Sequence, residues 1–380
     1  MKPTILILTT HTGGGHLNLA QSLKEVLATR YEVIIDDPQS KLVDGWYALM
    51  SRHALQFLSW QYAFTNNAMA SLWLQRALTL LGRRRLLDLI KRVQPQLIIT
   101  THAMIAYATA RALERWQEPV PLVFQLTDLG QVHMTWFSEK QAAAYLAPTQ
   151  EIFAQALAEG IDKHHLYLTG RPVRRQFSET TLDSKGETLA VLGFDPTVFT
   201  IFLQGGAKGS AGIDRTIESL LSSGAPVQII LATGNNKSMA ARFAAYKQVC
   251  TLPFTENIAP YMAAADVIAG KAGASFISEA FTLEKPFLVT SFIAGQESAN
   301  LQFIERHELG WVCLEAASLQ ELLVRIAKTP TLLTEKTNSI RAYKAWNMQA
   351  NEGIGAIIER LLAHQEKPIP YHRKTSTLSS

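Results

Sequence analysis

His16 follows three consecutive glycines, Gly13, Gly14 and Gly15, between the apolar run ILILTT and an amphipathic stretch. Glycines at such a turn allow a sharp bend and let a ligand approach the backbone closely. A helix start exposes N–H groups and favours negative charge. An imidazole beside it titrates near neutrality and can work as a general base next to an anion. The plain alternative is a tight strand-to-helix turn with no ligand.

Two later stretches repeat the pattern. In LQGGAKGSAGIDRTIESLL, Gly205 and Gly206 would let a diphosphate reach main-chain N–H groups at the following helix. Lys208 adds a cation there, or is a solvated loop lysine. Neither glycine loop matches G-x-x-x-x-G-K-[ST] or G-x-G-x-x-G, so neither nucleotide hydrolysis nor dinucleotide redox chemistry is indicated. In ADVIAGKAGASFISEAFTLEKPFLVTSFIAGQESAN, Gly273 and Ala274 open a further helix, and Glu279 lies along it. A carboxylate at that place can accept two hydrogen bonds from ribose hydroxyls; a lone helical glutamate can equally be a solvated surface group. Gln296 and Glu297 follow as neighbouring polar groups suited to sugar hydroxyls.

Positioning such groups takes a scaffold of strands feeding helices. Strands are predicted at 4–10, 32–36, 96–101, 121–128 and 165–170, then at 199–206, 227–234, 266–270, 286–290 and 310–314. Most are separated by helical patterns, which implies parallel sheets covered on both faces. Two such series predict an α/β protein of two doubly wound, Rossmann-like domains with a cleft between them. The expected division is an N-terminal domain over 1–170, a linker over 171–195 and a C-terminal domain over 196–340. Helices over 341–364 are expected to pack back on the first domain, and 365–380 to form a polar, disordered tail.

The totals agree. With 380 residues the chain exceeds one ordinary core, and 47% hydrophobic residues supply ample burial. A net charge of +4 is a mild excess that excludes a nucleic-acid-binding balance. Cys250 and Cys313 are isolated, which predicts a reducing compartment and no disulfide framework. No signal-like segment or bilayer-spanning apolar run is present, so a cytoplasmic protein is expected, with any membrane role peripheral. One region departs from the strand–helix alternation. Residues 41–92 read as helical and hold Trp46, Trp60 and Trp73, then Arg83, Arg84 and Arg85. Such a segment either lies at a lipid surface or packs its aromatics into the core.

The segment GKAGASFISEAFTLEKPFLV…AGQESAN is similar to the donor-binding signature of GT-B glycosyltransferases that use UDP-sugars. TGGGH, LTDLGQVHMTWF and TGRPVRRQF together resemble the family of monogalactosyldiacylglycerol synthases and processive diacylglycerol glucosyltransferases. The peptidoglycan-precursor N-acetylglucosaminyltransferase is a more distant relative. The resemblance implies His16 as the general base and a donor site of Gly15, Arg174, Gly206, Phe254, Gly273, Ala274, Glu279, Gln296 and Glu297. In it, Gly206, Gly273, Ala274 and Arg174 meet the diphosphate, the Phe254 backbone holds uracil, Glu279 binds ribose, and Gln296 and Glu297 bind the sugar. It implies His133 and Trp136 in an acceptor-side loop. Trp60, Arg83, Arg84 and Arg85 are the expected membrane contacts.

The resemblance also implies an inverting transfer of galactose or glucose from a UDP-sugar to diacylglycerol on an anionic membrane surface. No cofactor is implied. No acidic cluster has metal-ligand spacing, so metal independence is expected. Departures from the family pattern are GGAKGSAG in the second glycine loop, GNNKSM at 234–239, and Met134 where proline is usual; they bear on sugar and acceptor. Rival expectations are a UDP-sugar epimerase, a UDP-N-acetylglucosamine transferase acting on another lipid, and a non-catalytic binding module.

Overall fold

A computed structural model describes residues 2–10, 14–38, 62–114, 116, 119–181, 184–205 and 212–363. Gly206, Trp46 and Trp60, together with the expected tail, lie outside the described residues.

The N-terminal lobe is a parallel sheet of β1 (Thr4–Leu8), β2 (Glu32–Asp36), β3 (Leu97–Thr100), β4 (Leu122–Gln125), β5 (Ala144–Ala147) and β6 (Leu166–Leu168), in the order β2-β1-β3-β4-β5-β6. Its helices are α1 (Gly14–Leu27), α2 (Ala68–Val93), α3 (Ala103–Leu113) and α4 (Gln150–Ala158). The C-terminal lobe has β7 (Phe199–Gln204), β8 (Val227–Gly234), β9 (Val249–Pro253), β10 (Val267–Lys271), β11 (Phe287–Ser291) and β12 (Gly310–Val312), ordered β12-β11-β10-β7-β8-β9. Short helices α5 (Arg175–Glu179) and α6 (Lys185–Val191) precede this sheet. Within the lobe run α7 (Ile213–Ser222), α8 (Lys237–Phe243), α9 (Ala259–Ala263), α10 (Ala274–Thr282), α11 (Ser298–Arg306) and α12 (Ala316–Lys328). The long α13 (Thr331–Ala363) ends the described chain.

All strand pairs are parallel, and the central strands are buried on both faces, as in IIe5–Leu8 written ILIL and in IFL at 201–203. In parallel doubly wound sheets, ligands bind beyond the carboxyl ends of the strands where the strand order reverses. Those points fall between β1 and β3 in one lobe and between β7 and β10 in the other.

The expected linker is not a free connection. Phe177, Leu189 and Phe194 are buried in the core of the C-terminal lobe. Their apolar side chains, embedded among polar residues, have helical partners there. The single helix α13 crosses both lobes: Ile340 joins the C-terminal core, while Ile354, Ile357 and Ile358 pack among β1 and β3 residues of the other lobe.

Candidate active site

The two helix starts meet across the cleft. Gly15, in the first turn of α1, accepts a hydrogen bond at its carbonyl from Ser275 Oγ, 2.8 Å away in the first turn of α10. Gly273 caps α10 and provides no side-chain acceptor, so the leading amides have no capping partner from the N-cap side chain. Ala274 is nearly buried at the first helical position. That is the geometry of an anion cradle.

His16 is half-buried one residue further along α1. Its Nδ1 lies 2.8 Å from the Thr101 carbonyl. A carbonyl only accepts, so Nδ1 carries the proton and Nε2 keeps its lone pair. Burial pulls the imidazole pKa down to about 4; the Thr101 bond opposes this, and the Arg171 charge adds to it. The buried His102 ring meets it edge-on, with centroids 4.4 Å apart. His102 Nδ1 accepts from Met104 N–H at 3.2 Å, which caps α3 and puts the His102 proton on Nε2.

Glu279 is buried on α10. Its Oε1 accepts from Arg174 Nη2 at 2.8 Å and, across the lobes, from Asn18 Nδ2 at 3.3 Å. Burial raises its pKa and the Arg174 ion pair counters that. Arg174, expected on the phosphates, is therefore paired with the expected ribose carboxylate, and its guanidinium also lies 5.1 Å from the Phe177 ring centre. Glu297 is buried, ion-pairs with Lys271 and accepts from Ile293 N–H at 2.8 Å. Both Lys271 Nζ and Glu297 Oε1 lie within 3.6 Å of the space a Cβ on Gly273 would occupy. Gln296 is partly exposed beside them. Phe254 is exposed, and its N–H donates to Gly234 O at 3.2 Å.

Several groups at this centre escaped the sequence reading. Asp128 follows β4, and burial lifts its pKa to about 6, with Glu297 adding to the rise and Arg171 opposing it. Asn300 Oδ1 accepts from Leu129 N–H at 3.0 Å and its Nδ2 donates to Ala272 O at 3.0 Å, stitching the lobes together. Gly130 sits so close to Ala299 that a Cβ would come within 2.0 Å of its carbonyl oxygen. Arg171 is 2% exposed and reaches both lobes. Lys271, Asp128, His102 and Ser275 share one signal: each lies at, or within four residues of, the carboxyl end of a parallel strand.

The expected acceptor-side groups are corrected. Trp136 is 2% exposed and packs on Phe124, so it is a core residue. Burial pulls the His133 pKa down to about 4. Its Nδ1 accepts from Thr135 N–H at 3.1 Å and its Nε2 lies 3.3 Å from Tyr62 O, so it braces a 3₁₀ turn. Arg83, Arg84 and Arg85 lie along α2, and Arg85 lines a recess with Asp36, Asp88 and Arg92.

Two parallel six-stranded sheets with facing glycine turns define a GT-B glycosyltransferase fold. The HepE protein of Anabaena, solved with UDP-glucose, is similar at a TM-score of 0.60 and 15% identity, over 95% of this chain and 99% of that one. Residues 16–173 match the monogalactosyldiacylglycerol (MGDG) synthase model, and residues 200–351 match the glycosyltransferase family 28 C-terminal domain. The protein is thus a glycosyltransferase, similar in its N-terminal part to MGDG synthases and in its C-terminal part to family 28 enzymes. It is 27% identical to a probable monogalactosyldiacylglycerol synthase 2 of Oryza sativa subsp. japonica, over 99% of this chain and 84% of the relative. It is 28% identical to monogalactosyldiacylglycerol synthase 3 of Arabidopsis thaliana, over 79% and 69%.

Proposed function

We propose that this protein transfers galactose or glucose from a UDP-sugar to the free hydroxyl of diacylglycerol, with inversion and without a metal, at an anionic membrane surface on the cytoplasmic side. The observation that carries the proposal is the Ser275–Gly15 bond, which sets the imidazole of His16 beside the uncapped start of α10. UDP would lie against that start, with Glu279 on the ribose side and Gln296 and Glu297 near the sugar. The hydroxyl oxygen attacks the anomeric carbon, its proton passes to His16 Nε2, and the bond from that carbon to the diphosphate oxygen breaks. The α10 amides, with Lys271 nearby, stabilise the departing charge.

The exposed face of α2 supports membrane docking. Met69, Trp73, Arg76, Leu80 and Arg83 fall in a sector of about 80° at the helical repeat. Met69, Trp73 and Leu80 are 74%, 66% and 82% exposed, too much apolar surface for a helix meant only for water. No acidic residue precedes Asp88 in this helix, so the face suits anionic headgroups. No helix among the described residues is long and apolar enough to cross a membrane.

The deciding experiment incubates the protein with diacylglycerol vesicles and UDP-galactose, UDP-glucose or UDP-N-acetylglucosamine in parallel, resolving product lipids by mass. A monohexosyl lipid from one of the first two donors supports the proposal; no glycolipid from any donor refutes it. A second reading, a UDP-sugar epimerase, draws on two neighbouring carboxylates, the buried Glu297 beside the donor turn and the half-buried Asp128. An isomerised UDP-sugar formed without acceptor would select it.

A further inference from the structure

Arg171 is held by three elements at once. Its backbone N–H donates to Asn347 Oδ1 of α13 at 2.7 Å, and its carbonyl accepts from Asn347 Nδ2 at 3.0 Å and Asn351 Nδ2 at 3.3 Å. The preceding Gly170 has φ +66°, and a Cβ there would come within 2.7 Å of Asn347 Oδ1, so only glycine admits this approach. The guanidinium then spans the cleft. Nη1 donates to the Thr127 carbonyl after β4, and Nη2 donates to Ser275 Oγ at 2.6 Å. Ser275 passes the contact on, donating to Gly15 O one residue before His16. The chain of bonds thus runs from α13 through Arg171 and Ser275 to the turn that carries the imidazole.

We propose that Arg171 is a positioning residue that fixes the gap between His16 and the donor-facing start of α10, acting through Ser275. It differs from Arg174, three residues on, which is held by Glu279 on the ribose side. A guanidinium with both arms engaged inside the protein holds a geometry rather than reaching for a ligand. The charged and titratable groups around it are Asp128, Glu279 and Tyr343, and His16 on the far side. Its charge also discourages protonation of His16, in the same direction as burial, and His102 is the other titratable ring against that imidazole. Arg171 therefore aims the base, and its charge adds to the burial that keeps the imidazole unprotonated.

The inference rests on the proposed transfer reaction for its kinetic arm and on the His16 imidazole alone for its second arm. Arg171→Met, Arg171→Lys and Ser275→Ala are compared with the native protein for transfer kinetics, UDP affinity and the histidine-selective NMR titration of His16. A displacement of about 1 Å of a reacting group costs on the order of 100-fold in rate. The expected result is a fall of about 10- to 100-fold in kcat for all three variants, with UDP affinity within about 3-fold of native. The His16 titration moves up in Arg171→Met and stays in place in Arg171→Lys, which keeps the charge but not the fork. A merely structural role would lower folded yield yet leave kcat per folded molecule unchanged. A native titration midpoint for His16 in Arg171→Met overturns the inference whether or not any transfer is seen. UDP affinity falling in step with kcat also overturns it, because Arg171 would then be a phosphate ligand. Should Arg171→Met not fold, Ser275→Ala decides: it breaks the same chain of bonds, and native kcat in it contradicts the proposal.

Discussion

At the start of α1 the first turn carries an imidazole whose Nδ1 is fixed by Thr101; at the start of α10 it carries Ser275 and a glycine cap with no side chain. Both turns follow parallel strands, at the points where each sheet reverses its order. The backbone device is shared, and the side chains divide the labour. One turn supplies a base that can take a proton, and the other supplies bare amides that can hold an anion. Joining them through Ser275 puts the proposed proton acceptor and the proposed leaving-group cradle in a single centre. Neither lobe alone is competent for the proposed transfer.

The contrast can be broken from either side. His16→Ala removes what the α1 turn has and the α10 turn lacks. Its kcat is expected to fall about 1000-fold, within the range for loss of a general base, with UDP affinity held within about 3-fold. The reverse pattern, with affinity lost and saturated rate kept, would exchange the roles of the two turns. On the other side, Gly273→Asp gives α10 a side-chain cap of its own. An N-cap carboxylate stabilises a helix by about 1 kcal/mol, and here it would compete with phosphate for the same amides. The folded state should hold its melting temperature while UDP affinity, measured by calorimetry, falls about 30-fold or more. Native affinity would remove the α10 start from the donor site.

Two smaller effects sharpen the comparison. Trp73→Ser with Leu80→Ser leaves both turns untouched, so UDP affinity should be native while binding to anionic vesicles in a flotation assay weakens about 10-fold. Unchanged flotation would move the membrane contact off α2. Titration separates the turns as well. A general base at His16 would work only when unprotonated, and burial holds its pKa at about 4. In the free enzyme, kcat/KM should therefore fall as pH drops through about 4 and be flat in this group above about 5. Bound diphosphate adds negative charge and raises the imidazole pKa, so the limb in kcat should lie at higher pH than that in kcat/KM. Coincident limbs would mean that the diphosphate does not sit near His16.

Ten of the strands could be read from their apolar runs. β5 and β9 could not, for physical reasons. AYLA in β5 is short, alanine-rich and free of β-branched residues, and its strand form is set by pairing with β4 and β6 on either side. VCTLP in β9 ends in proline, which is tolerated because β9 is an edge strand. Within the site, the helix starts at Gly14 and after Gly273 were legible, because glycine following an apolar strand is tied to local backbone geometry. Arg171 and Asp128 were not, because their meaning comes from partners far along the chain: Ser275 and Asn347 for one, Glu297 and Asn300 for the other. Trp136 misled in another way. The family resemblance implied it in an acceptor-side loop, yet its side chain is buried against Phe124. The segment over 171–195 carried linker-like proline and charge, but Phe177 and Leu189 anchor it in the second core.

The most direct test is a crystal structure of the protein with UDP bound. The account predicts the diphosphate within about 3 Å of the Ala274 and Ser275 amides, with the His16 ring on the opposite wall and its Nε2 turned toward the cleft. UDP lodged away from the α10 start, or a His16 ring facing away from the nucleotide, would contradict it.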